Sequence, residues 1–398
     1  MASRAPALVR SLRLWLSAVR LLGGFPYSWD EGGQEALCPN LRSCRGLRLW
    51  SYFMAGLQLV VVVGFKTYVY ASSSVLSFAD DTQGIMSNII SAVVAGASVV
   101  LYVHILLGGR RLRRLVSHMD ACFPEGSIGD WTARRSKGLM LSILTHSTYS
   151  MIVVVTYVKW FVTTRKTQFH VLLNVCCDVF VYTIFLPVNY LSINLVCCFL
   201  ERSLSDVALA LESPPSPAAR PANAPADRAK TTKILVGSDK AVDAGRVQAA
   251  SRRVVQVHEC QLLMCQHFSL PVLALMALSA TWLITDVYRK ITQPESQGTA
   301  IFLVYVTYNI VNLCVLCCSA DLLMNKVDEL RFAVRKRGLA VADVALENQM
   351  TRLLDQLDCF PEFSVGGLFS LSRGRLVSIG GFIATYLVIL LQFQAAEK

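Results

Sequence analysis

Seven long apolar stretches divide the sequence, and they constrain its fold more than any other feature. Each is about 20 residues long or longer, the length that an α-helix needs to cross the hydrocarbon core of a bilayer. Backbone inside lipid must satisfy its own hydrogen bonds, which favours helix over irregular chain. The sequence therefore predicts an all-α, polytopic membrane protein with seven transmembrane helices. The stretches are Leu49–Tyr70, Ile85–Leu107, Leu139–Val162, Phe169–Leu200, Phe268–Tyr288, Ala300–Ser319 and Leu376–Phe393.

The charged residues predict how this bundle is oriented. Only 16% of residues are charged, and the formal net charge of +11 comes from Lys and Arg between the apolar stretches. These residues concentrate before the first stretch and in every second connection after it. The positive-inside rule then predicts a cytosolic N-terminus and an extracellular C-terminus, residues 395–398. A basic balance placed in this way fits contact with anionic membrane lipid on the cytoplasmic side and argues against nucleic-acid binding.

The regions between the apolar stretches suggest a domain organisation. Residues 1–48 are predicted to be a cytosolic segment with an amphipathic, Arg-rich helix, although a mitochondrial transit peptide has a similar appearance. Residues 49–319 hold the first six membrane helices, with a disordered cytosolic loop near 213–242 that begins rich in Pro, Ala and Ser. Amphipathic patterns in residues 320–374 predict a cytosolic anchor segment, formed together with helix extensions. Residues 375–394 form the seventh helix.

No residue pattern in the chain indicates catalysis, a cofactor or a metal. The sequence lacks a phosphate-binding loop, a nucleophile elbow and a zinc-protease motif, so an enzyme is not expected. Cys314, Cys317 and Cys318 resemble a metal or redox cluster, but they lie in an apolar stretch where Cys acts as a small hydrophobic residue. His104 and His146 also lie in apolar stretches, where packing is the expected role.

The seventh stretch carries a polar stripe. If it is helical, five small or polar positions follow one another at spacings of 3, 4, 3 and 4 and share one face. They are Ser378, Gly381, Thr385, Val388 and Gln392. An amide inside a membrane is costly unless it meets water or a partner. Two interpretations stay open at this point: a pore lined by copies of the helix, and a packing seam of small residues.

The end of the chain also carries a recognisable motif. Thr385-Tyr386 is followed by five hydrophobic residues and then by Gln392-Phe393. This pattern resembles the C-terminal signature of the arthropod gustatory receptors and matches it in full. The preceding stretch resembles the upstream part of the signature at Phe363, Gly367, Phe369 and Arg373. Ser372 stands where that family often has an acidic or amide residue, so the polar contact of Arg373 is not predicted.

The resemblance implies a ligand-gated, non-selective cation channel that senses a small-molecule tastant in chemosensory neurons. Such a channel would be a homotetramer, or a heteromer with related receptors, in which four copies of the seventh helix line the pore. Gln392 would ring the outer gate, and Val388 or Ile389 would form an apolar constriction that gates by dewetting. Thr385 and Tyr386 would fix how the helix packs, and Tyr386 and Phe393 would position it.

The resemblance also implies a ligand pocket in the outer half of the first six helices. Polar and aromatic residues at that depth are the candidates, and an acidic residue within the membrane comes first because such residues are usually functional. These residues would suit a sugar through hydrogen bonds to its hydroxyl groups, or a cationic bitter compound through cation–π contacts. Alternatively, they pack between helices or form an aromatic belt at the membrane interface. The candidates are Asp178, Tyr157, Tyr182, Trp282, Tyr305, Tyr308 and Asn309.

Other membrane proteins remain as alternatives. A G-protein-coupled receptor would need an extracellular N-terminus, opposite to the predicted orientation. Secondary transporters often contain internal repeats, and the two halves of this sequence show none. A seven-helix receptor or transporter of inverted topology without channel activity is the main alternative, followed by a membrane scaffold or a mitochondrial carrier-like protein.

Overall fold

The structure, a computed structural model, consists almost entirely of α-helix. It describes residues 17, 20, 27–29, 41–43, 45–58, 82–122, 186–212, 228–292, 299–339 and 343–396. The helices are α1 (Arg45–Gln58), α2 (Thr82–Ala121), α3 (Leu186–Glu212), α4 (Arg228–Thr292), α5 (Thr299–Gly338), α6 (Val344–Asp358) and α7 (Arg373–Ala396). The described residues also include two antiparallel pairs of short strands: β1 (Tyr27–Trp29) with β2 (Leu41–Ser43), and β3 (Ser364–Val365) with β4 (Phe369–Ser370).

Three helices in the described part of the chain are long and apolar enough to cross a membrane. They are Asp243–Thr292 within α4, Phe302–Gly338 within α5, and Arg373–Ala396, which is α7. The full helices α4, α5 and α7 contain the predicted fifth, sixth and seventh apolar stretches. The prediction of a polytopic, all-α membrane protein is therefore confirmed.

Two predictions, the N-terminal helix and the disordered loop near 213–242, concern segments that the structure describes only in part. The helix expected near the N-terminus falls outside the described residues apart from positions 17 and 20, which are helical. The loop near 213–242 was expected to be disordered, yet α4 already begins at Arg228. The Pro-rich composition behind that expectation ends at Pro225, and no further proline follows before Pro271. Residues 213–227 lie outside the described part.

Helix α4 is the central element of the bundle. It contacts α2, α3, α5, α6 and α7. Its inward-facing side chains, among them Val254, Val257, Met264, Val272 and Leu275, are almost wholly removed from solvent. One long helix therefore joins the membrane-spanning part of the bundle to the part that extends beyond it.

Helix α6 packs against α4 and α5 through one apolar face. Its four buried residues, Leu346, Met350, Leu353 and Leu357, recur at spacings of 4, 3 and 4, as an amphipathic helix requires. Asp343 caps the helix, because its carboxylate accepts a hydrogen bond from the backbone N–H of Ala345 at 2.9 Å. This helix lies within residues 320–374, where the sequence predicts amphipathic patterns, while its role in an anchor segment stays a prediction.

Ion pairs fix the far ends of α4, α5 and α6 to one another. Arg331 on α5 pairs with Asp358 at the end of α6, with a distance of 2.6 Å from Nε to Oδ1. The same guanidinium donates to the carbonyl of Leu357 at 2.9 Å. Arg337 pairs with Asp243 of α4 at 3.1 Å. These contacts join residues that are distant in sequence, so they lock the packing of three helices.

Candidate pore helix and ligand-binding region

The last helix, α7, packs on the rest of the chain through one apolar face. Leu376, Ile379, Ile383, Leu387 and Leu390 recur at spacings of 3, 4, 4 and 3 and are half-buried. The first three pack on the main core, and the outer ones pack on two residues of α4, Ile284 and Tyr288. This face fixes the rotation of α7 about its own axis.

The polar stripe of α7 lies on roughly the opposite side of the helix, given about 100° of rotation per residue. All five of its residues, Ser378, Gly381, Thr385, Val388 and Gln392, are exposed, and Val388 shows 53% of its surface. The hydroxyl of Thr385 donates to the carbonyl of Gly381 at 2.9 Å, so its hydrogen bond is satisfied within the helix. The stripe therefore faces outward from the bundle and is available to water or to another molecule.

The aromatic residues of the C-terminal motif flank this stripe. Tyr386 and Phe393 are both exposed, and the ring of Tyr386 contacts that of Phe382 with 4.5 Å between centroids. Ile389, the second candidate for the constriction, is also exposed and lies beside the stripe rather than on it. The structure thus separates a small, polar surface from an aromatic one on the same helix.

The start of α7 is held by α5 and by the hairpin before it. Nε of Arg373 lies 2.9 Å from Oδ2 of Asp321 on α5. This is the polar contact that the unusual Ser372 left unassigned. The guanidinium of Arg375 lies over the ring of Phe369, 5.7 Å from its centroid, as in a cation–π contact. Arg373 is thus a structural residue of the motif with a partner 52 positions earlier in the chain.

The β3–β4 hairpin clips the entry of α7 onto α4. The hydroxyl of Ser269 donates to the carbonyl of Ser364 at 2.8 Å and accepts from the N–H of Gly366 at 2.6 Å. Gly366 and Gly367 have φ of +60° and +72°, a conformation that glycine adopts without steric cost. Pro271, within α4, follows Ser269 by two residues. The glycine of the sequence motif, Gly367, therefore forms the tight turn that delivers the chain to α7.

The predicted ligand-binding residues are described only in part, because Tyr157, Asp178 and Tyr182 lie outside the described residues. Trp282 on α4 is half-buried against the core. On α5, Tyr308 and Asn309 are buried, and Tyr305 is half-buried. Nδ2 of Asn309 donates to the carbonyl of Tyr305 at 3.1 Å, and the two tyrosines pack against each other. These residues belong to two neighbouring helices.

Asp286 is a candidate that the sequence interpretation missed. It lies on α4 one turn after Trp282, only 3% of its surface is exposed, and its Oδ2 has no hydrogen-bond partner among the described residues. An ionisable residue within an apolar stretch is a functional candidate by default, and that signal was present in Phe268–Tyr288. Two polar pairs lie deeper in the bundle: Tyr190 with Ser279 at 2.9 Å, and Asn194 with Ser319 at 2.8 Å.

Comparison with known proteins identifies the class to which this bundle belongs. The sequence model of the 7tm chemosensory receptor family matches residues 12–397, so the chain belongs to that family. This confirms the resemblance drawn from the C-terminal motif at the level of the chemosensory receptors. The protein is therefore a membrane protein of a receptor family and not a member of an enzyme family.

Solved structures share this fold. The insect olfactory receptor OR5 from Machilis hrabei matches with a TM-score of 0.73 and 14% identity over 97% of this chain and 98% of that chain. The same receptor in complex with eugenol matches with a TM-score of 0.73 and 13% identity over the same shares. At this level of identity the likeness concerns the fold. No curated protein matches the sequence.

Proposed function

We propose that this receptor is a ligand-gated, non-selective cation channel of the gustatory type. In this proposal four subunits, identical or from related receptors, surround a pore lined by α7. The observation that carries it is the outward-facing stripe on the side of α7 opposite its packed face. A membrane helix that turns Gln392 and Thr385 away from its own bundle needs water or another subunit beside them.

The chemistry of the stripe suits a pore. Ser378, Gly381 and Thr385 are small, so copies of α7 could approach an axis closely without closing it completely. Val388 is the one apolar side chain in the row, and a ring of four valines would form a hydrophobic constriction that gates by dewetting. Gln392 lies one turn further along and would ring the outer end. A packing seam of small residues would use the same side chains, so a measurement of ion permeability must distinguish the pore from the seam.

The assignment to the gustatory type rests on the motif Thr385–Phe393. The proposed ligand-binding site rests on residues of the other helices. Trp282, Tyr305, Tyr308 and Asn309 would line the site on α4 and α5, and Asp286 would add a negative charge. The positions outside the described residues, Tyr157, Asp178 and Tyr182, would complete it. A sugar or a bitter compound fits this set, and the complex of the olfactory receptor with eugenol supports a small-molecule ligand.

The proposed orientation has a cytosolic N-terminus and an extracellular C-terminus in the plasma membrane. It is supported by the distribution of Lys and Arg along the sequence. The far ends of α4 and α5, with α6, would then form the cytosolic anchor between subunits. Tagging the two termini with epitopes and staining intact cells tests this arrangement, because only the C-terminal tag should be accessible.

Gln392→Ala tests the pore assignment, and the chain offers a matched control two residues away. Gln394 is the same residue type on the same helix, but it is half-buried on the packed side. Currents are recorded from cells expressing the full chain without an added G protein, with a panel of sugars and bitter compounds as stimuli. We expect Gln392→Ala to change the relative permeability of cations and Gln394→Ala to leave it unchanged.

Two results contradict the proposal. Equal permeability in wild type and Gln392→Ala, with normal surface expression, would assign the stripe to a packing seam. Absence of any stimulus-evoked current in a receptor that reaches the surface would favour a receptor or transporter without channel activity. In that case, uptake of a labelled stimulus compound by the same cells would distinguish a transporter, which takes it up, from a receptor, which does not.

A further inference from the structure

A row of arginines follows the apolar part of α2. Leu107 ends the second apolar stretch, and the sequence then runs Arg110-Arg111-Leu112-Arg113-Arg114. All four arginines are exposed, while Leu112 is buried against the bundle. Nη1 of Arg111 donates to the backbone carbonyl of Gln266 at 3.0 Å, which holds the row against α4. The structure therefore presents four exposed arginines within five residues of α2, one of which is bonded to α4.

The neighbouring helix α1 presents a similar surface. Arg45 and Arg48 are exposed at its start, and three large aromatic side chains after them, Trp50, Tyr52 and Phe53, are exposed as well. Helices α1 and α2 contact each other. Exposed Trp and Tyr next to arginines are typical of the boundary between hydrocarbon and headgroups. The arginines of both helices flank the ends of apolar stretches, so the two groups lie at a similar depth.

Several arginines elsewhere differ from this row because they have acidic partners. Arg202, Arg331, Arg335, Arg337 and Arg373 each pair with an aspartate within 4 Å. Within the described residues no acidic group pairs with Arg45, Arg48, Arg110 or Arg114. No acidic group in the described part of the chain therefore neutralises these four charges at the membrane boundary.

The row begins within the layer of lipid headgroups, and its far end lies a few ångströms beyond that layer. At about 1.5 Å per residue, Arg110 and Arg114 lie roughly 4–11 Å beyond Leu107 along the helix. The headgroup layer begins at the edge of the hydrocarbon core and is about 5–7 Å thick on each side. We propose that α1 and the Arg110–Arg114 row of α2 form a binding surface for the headgroups of anionic phospholipids, with the aromatic side chains of α1 anchored at the same level. The leaflet is the inner one under the orientation of the proposed function.

The test compares the lipids that remain bound to the purified full-length receptor. Receptor is taken from vesicles of mixed phosphatidylcholine and phosphatidylserine, and the bound lipids are quantified by mass spectrometry. The variant is Arg110→Gln with Arg114→Gln. Each basic residue near an anionic surface contributes about a five-fold preference, so the double variant is expected to lose up to about 25-fold of the enrichment in phosphatidylserine.

A matched control removes the same charge further from the membrane. Arg252 on α4 and Arg352 on α6 are also exposed. Arg252 precedes the apolar stretch at Phe268 by 16 residues, which is about 24 Å along a helix. That distance exceeds the screening length of about 8 Å at physiological salt. The double variant Arg252→Gln, Arg352→Gln should therefore keep the enrichment, and Arg110→Lys with Arg114→Lys should keep most of it.

Three results would overturn the proposal. These are a wild-type receptor without enrichment in phosphatidylserine, an equal loss in the control variant, and displacement of the bound lipid by inorganic phosphate or soluble glycerophosphoserine. The last result would show an anion site rather than a lipid surface. Elution as a single species and an unchanged melting temperature establish that each variant is folded. The assay needs no current, and Gln392→Ala should bind phosphatidylserine as wild type does, so this proposal and the channel can fail separately.

Discussion

Replacement of Ser269 by alanine removes the clip between α4 and the hairpin that leads into α7. The hydroxyl makes two hydrogen bonds, to the carbonyl of Ser364 and from the N–H of Gly366. A typical hydrogen bond contributes about 0.5–1.5 kcal/mol net, and a buried group left without a partner costs about 1–3 kcal/mol. The hairpin is partly exposed, so water replaces some of the loss. We expect Ser269→Ala to lower the free energy of unfolding by about 2 kcal/mol.

The assay is the melting temperature of the purified full-length receptor, which a loss of this size lowers by a few degrees. The control is Ser205→Ala, because the hydroxyl of Ser205 donates only to a carbonyl of its own helix, that of Glu201 at 3.0 Å. Ser269→Thr keeps a hydroxyl at the position and should recover part of the loss. If Ser269→Ala melts at the same temperature as Ser205→Ala, the clip does not hold the entry of α7.

Three further changes follow from the described contacts. Leu353→Ala opens a cavity at a fully buried position of α6 and should cost about 2–5 kcal/mol, against under about 0.5 kcal/mol for exposed Val344→Ala, by the same melting assay. Arg373→Gln and Asp321→Asn break a partly exposed ion pair, and a double-mutant cycle should give a coupling of under about 1 kcal/mol. Asp286→Asn should raise the melting temperature, because a buried carboxylate with one oxygen that lacks a hydrogen-bond partner costs more than an amide, and dose–response recordings should show weaker activation by cationic ligands.

The helical framework could be predicted from the sequence because its signals are local. The length of an apolar stretch reports a membrane helix directly, and α4, α5 and α7 contain the predicted fifth, sixth and seventh stretches. The 3.6-residue period of a helix likewise shows which side chains share a face. The apolar face of α6 and the polar stripe of α7 could therefore both be predicted from the sequence. The family could be recognised because its motif, Thr385–Phe393, is contiguous.

The tertiary structure decided how these faces are used. A stripe on α7 has the same sequence pattern whether it faces inward or outward, and only the packing of Ile383 and Leu387 on α4 turned it away from the bundle. The partner of Arg373 is Asp321, and the hairpin is held by Ser269, residues that no local pattern connects. The sequence by itself determined which segments are helical and which side chains share a face. Only the tertiary structure decided which faces meet, because contacts between distant residues depend on the packing of the whole bundle.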